Sequence, residues 1–140
     1  MKHLLILLPF IFASQHAVAI DVQDEENYKQ HYSEQVKPLV MKKLSTERPE
    51  MTAKAIKTEA EFYVTKMAIC QLDGLSNLPE AYREKAILPV AAGEDIETTT
   101  RALNVQIKQD VDAGTLGKDK AVSMLQNAQQ AVQVCLNSPS

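Results

Sequence analysis

Apolar residues recur every three or four positions along this chain and nowhere alternate over the length of a strand, which predicts helices and no sheet. The first stretch, Asp24–Leu44, places Tyr28, Tyr32, Val36, Leu39, Val40 and Leu44 on one face, with Pro38 inside it to kink or split the helix. Thr46 to Pro49 breaks the pattern. A second helix is expected over Met51–Asp73, with Ile56, Ala60, Tyr63, Val64, Met67 and Cys70 inward and Gly74 as its left-handed stop. A short helix follows from Pro79 to Leu88, ended by Pro89, and Val90 to Gly93 is read as a loop. The third long helix, Asp95–Ala113, turns Ile96, Thr100, Leu103, Ile107 and Val111 inward and ends at Gly114. The fourth, Lys118–Leu136, does so with Ala121, Val122, Leu125, Ala128, Val132 and Cys135.

The N-terminus changes the picture by adding a compartment. Lys2, an apolar run from Leu4 to Phe12 and the small-x-small end Ala17-Val18-Ala19 read as a secretory signal spanning residues 1–19, cut after Ala19. The run is shorter than the roughly 20 residues a membrane span requires, and no second one follows, so no stable membrane insertion is expected. Residues 20–140 are then one helical domain exported to a Gram-negative periplasm.

In an exported chain two cysteines read first as a disulfide, here Cys70–Cys135. Both lie near the C-terminal ends of their helices on inward faces. If the long helices alternate up and down, the second and fourth run parallel and present those ends together. The segment from Leu75 to Asp95 would then cross the bundle end as a cap. The expected fold is therefore all-α: an up-down four-helix bundle with a short capping helix between the second and third long helices, closed by one disulfide.

Charge and side-chain chemistry mainly exclude. The chain carries 15 basic and 18 acidic residues; loss of Lys2 with the signal leaves 14 against 18, a net of −4. That sign argues against nucleic acid as a partner, because phosphates call for a basic patch. His31 is the sole histidine after cleavage, too few for a zinc site beside two bonded cysteines or for a histidine-activated nucleophile. Asp110-Val-Asp112-Ala-Gly114 loosely follows a calcium loop, but Gly114, Thr115 and Ala121 stand where a third oxygen ligand, a glycine and a bidentate glutamate are needed. The pairs Glu80/Glu84 and Glu94/Glu97 have the spacing of solvated helix faces. No catalytic residue, metal or cofactor is assigned, and the chain is read as non-enzymatic.

What remains is binding, with another protein as the expected partner and homodimerisation as an open state. The cap carries Leu78, Tyr82, Ile87, Leu88 and Val90, which either roof the core or form an exposed interface. The function expected on this basis is an immunity protein or inhibitor of a cell-wall-targeting toxin. The alternatives are a periplasmic stress chaperone and a small-molecule-binding bundle.

Overall fold

The computed structural model describes residues 19–139, so the signal-peptide reading falls outside the described residues apart from Ala19. They form five helices: α1 (Val22–Glu47), α2 (Ala53–Leu75), α3 (Glu80–Ala91), α4 (Ile96–Asp112) and α5 (Lys118–Asn137). Asp21 opens α1 through a capping box with Asp24, while Thr52 and Asp95 accept from the backbone N–H groups of Ala55 and Thr98 at the starts of α2 and α4. A left-handed glycine, Gly114, ends α4: its N–H donates to the Val111 carbonyl and that of Thr115 to the Asp110 carbonyl.

Both prolines expected to interrupt helices are accommodated inside them. Pro38 lies within a continuous α1 on its solvent side, so the Glu34 carbonyl that loses its intrahelical donor belongs to an exposed residue. Pro89 lies in the last turn of α3, which extends to Ala91 rather than stopping at Leu88.

Pairs of contacts fix the helix directions. Lys37 meets Glu61 while Ser33 meets the Val64 carbonyl, so α1 and α2 are an antiparallel hairpin. Tyr28 and Tyr32 pack with Ile87, Val90 and Ala91, and the Gln35 side chain bonds Glu94 and Ile96, so α3 runs up the N-terminal half of α1 in the same sense. The Tyr82–Asp110 bond returns α4 along α3.

The helix packing is that of an all-α bundle with one disulfide, Cys70–Cys135, whose Cα atoms are 5.4 Å apart. Two expectations about its route are corrected: α3 runs lengthwise beside α1 instead of crossing the bundle end as a cap, and α2 and α5 are antiparallel, not parallel. Lys66 donates to the Ser138 carbonyl, Cys70 joins Cys135, and Gly74 lies against Ala128 and Val132, so rising numbers on α2 meet falling numbers on α5. Cys135 still reaches Cys70 because the two helices are offset. Ala121 and Met124, near the start of α5, pack beyond the end of α2 with Leu78, Tyr82, Leu103 and Ile107, and only the second half of α5 overlaps α2.

The opposite end is built differently. Leu44, Ile56 and Ala60, with Val40, Met41 and Met51, form an apolar cluster drawn from α1 and α2 and the turn between them. Beyond the level where α3 and α5 end, near Gln35 and Lys66, the hairpin continues without the other helices. From Pro38 to Glu47 it rises roughly 15 Å at ~1.5 Å per residue.

Candidate functional site

The structure separates the cap residues from the surface. Leu78 and Tyr82 sit in one buried cluster, and Ile87 and Val90, each 2 % exposed, sit in another; Leu88 is half-buried. These side chains roof and fill the core, because α3 lies along α1 with its apolar face inward. The expected interface is therefore not displayed where the sequence placed it.

The exposed apolar side chains lie elsewhere. On the projecting hairpin, Leu39 is 68 %, Phe62 55 % and Tyr63 45 % exposed. The Phe62 and Tyr63 rings meet edge to face with centroids 6.1 Å apart. Tyr63, Val40, Leu44 and Met67 floor a groove of about 360 Å³ whose rim carries Lys43, Glu47 and Arg48. Two ion pairs brace the hairpin from side to side. Lys37 Nζ lies 2.6 Å from Glu61 Oε1, and Arg48 pairs with Glu59. The hydrogen bond from Lys37, reinforced by its charge, holds the Glu61 carboxyl below its ordinary value, and the bond to Glu59 raises the Arg48 guanidinium.

Charge follows the same division. From Lys37 to Lys66, both included, the chain has seven Lys or Arg against four Asp or Glu, a net of +3. The other residues from Ile20 onward have seven against fourteen, a net of −7. A cationic hairpin bearing apolar side chains thus projects from an anionic body. A whole-chain charge of −3 conceals this asymmetry, and regular helical spacing assigns Leu39 and Tyr63 to the core stripe; a windowed charge count was the signal that could have found it.

The acidic groups at the end of α4 and the histidine are committed locally. Asp110 accepts from the Tyr82 hydroxyl at 2.6 Å and from Gln106 at 3.0 Å, and Asp112 pairs with Lys108. His31 lies 3.4 Å from Glu34 with its ring beside Gly93. Among the described residues no group of three or more His, Cys, Asp or Glu is placed to hold a metal ion, and no helix is long and apolar enough to cross a membrane. Comparison with protein-family models, with curated proteins and with solved structures returned no match.

Proposed function

We propose that this is an exported, non-enzymatic binding protein whose partner is another protein, held by the projecting α1–α2 hairpin. The observation that carries the reading is the exposure of Leu39, Phe62 and Tyr63 on a segment of net positive charge. Large apolar side chains exposed beside charged ones are characteristic of interfaces, where aromatic residues are among those that contribute most to binding. Lys42, Lys43, Lys54 and Lys57 then select the partner's face, which is acidic, and accelerate encounter at low salt. An immunity protein or inhibitor of a cell-wall-targeting toxin is the specific role we favour, with the requirement that the toxin's docking face be acidic.

The test compares two forms of the mature chain immobilised in periplasmic extract. Wild type should retain one stoichiometric protein, released as salt rises. The triple variant Leu39→Ser, Phe62→Ser, Tyr63→Ser should lose it while its helical circular dichroism is unchanged. Equal retention by both forms would remove the hairpin from the interaction. Retention of many unrelated proteins would replace a dedicated partner by a chaperone.

A further inference from the structure

Below the hairpin, α1 to α4 surround a cavity of about 290 Å³ whose wall includes Tyr28, Tyr32, Gln71, Val90, Thr99 and Leu103. Thr99 is 4 % exposed, and its hydroxyl has no hydrogen-bond partner. A threonine inside a helix commonly satisfies that hydroxyl by donating to a carbonyl one turn back. Thr65 does so with Glu61 at 2.8 Å, whereas Thr99 keeps its hydroxyl unused in the cavity wall. A buried polar group left this way is unfavourable, and a ligand that pairs with it relieves the cost.

The rest of the lining defines the ligand. Every lining side chain is uncharged, so a charged molecule would lose hydration without gaining a counter-charge. The Tyr28 and Tyr32 rings stack with centroids 5.8 Å apart and planes 24° from parallel, presenting aromatic surface suited to a flat ring. At ~30 Å³ per water the space corresponds to roughly ten non-hydrogen atoms. Thr100, which is exposed and also lines the cavity, marks where it meets solvent.

We infer that this cavity binds a small, neutral, planar and largely apolar molecule bearing one hydroxyl or carbonyl group, which hydrogen-bonds the Thr99 hydroxyl. The site is distinct from the hairpin, and either reading stands without the other.

Calorimetric titration of the mature protein with 1-naphthol and 1-naphthoate tests it. Saturable binding of 1-naphthol, with a raised melting temperature, is expected, and 1-naphthoate should not bind. Thr99→Val keeps the shape and removes the hydroxyl; it should weaken 1-naphthol roughly tenfold while leaving the fold intact. Ala86→Leu, which extends a buried wall residue into the space, should abolish binding. Absence of saturable 1-naphthol binding, equal affinity for 1-naphthoate, or unchanged affinity in either variant would overturn the assignment.

Discussion

Gly74 of α2 lies directly against Val132 of α5: a Cβ built on Gly74 would lie 2.4 Å from Val132 Cγ2 and 2.8 Å from the Ala128 carbonyl oxygen. Gly74 is the penultimate residue of α2 and has no positive φ, so it is not the left-handed stop expected from its neighbours, and α2 continues to Leu75. The glycine is there for proximity. Gly74→Ala would gain about 1 kcal/mol of helix propensity, but the contact with a backbone oxygen cannot be relieved by a rotamer change. The expected net result is destabilisation of about 1–3 kcal/mol, measured by urea unfolding. Gly74→Ala with Val132→Ala should recover only part of it, because the Ala128 carbonyl remains.

One turn away the same interface is bonded covalently. Cys70 and Cys135 close a loop with a sequence separation of 65, and Cys70 is fully buried. For a loop of that size the chain-entropy account gives roughly 4 kcal/mol of stabilisation, comparable to the net stability of a small domain. Cys70→Ala with Cys135→Ala should therefore lower the unfolding free energy by about 2–5 kcal/mol. If Gly74 and Ala128 pack as described, α5 should remain helical in the variant below its lowered melting temperature.

The helices and the disulfide were legible because each depends on local spacing. The short segment between the second and third long helices was found for the same reason. What periodicity does not encode is how far each helix runs past its neighbours. Leu39 and Tyr63 fall on regular apolar stripes and are exposed where the hairpin runs past the other helices, whereas Val122 and Leu125 are exposed because Ala121 and Met124, each one residue earlier, take the inward face of α5. In α4 one member of the expected stripe is displaced, with Thr99 buried and Thr100 exposed; Leu103 and Ile107 face inward as expected, and Thr99 lies four residues before Leu103 on the same face. The antiparallel course of α5 was hidden because proximity of Cys70 and Cys135 is met by two topologies. A parallel pair with level ends and an antiparallel pair offset by half a helix both bring these thiols together.

Tyr82 provides a pH test of the packing between α3 and α4. Its hydroxyl donates to Asp110 Oδ2, and that bond, with burial and the Asp110 charge adding to it, moves the phenol from 10.0 up to about 12. A folded value above the unfolded one means that the contribution is complete below pH 10.0 and is lost as pH rises through about 12. Ultraviolet titration should show a late tyrosinate phase that is reduced in Tyr82→Phe, the remainder belonging to Tyr28 and Tyr32, whose phenols burial also raises. The same variant should be less stable near neutrality by about 1 kcal/mol, the usual net worth of one such bond. It should also show a shallower stability loss between these pH limits than wild type.

The hairpin tip has the least to hold it. Its apolar cluster comprises Leu44, Ile56 and Ala60 with three partly buried neighbours, whereas α2 near Ala68 and Cys70 is enclosed by α1, α3 and α5. Local opening should therefore begin at the turn around Pro49, and amide exchange over residues 40–60 should be faster than over residues 64–72. Leu44→Ala removes most of the buried side chain that α1 contributes to this cluster. It should accelerate exchange at the tip strongly and affect the slowest amides of α2 little. Uniform acceleration across both stretches would instead mean that the hairpin and the lower bundle open as one unit. In that case a partner docking on Leu39, Phe62 and Tyr63 would also stabilise the cavity below, linking the two proposed sites.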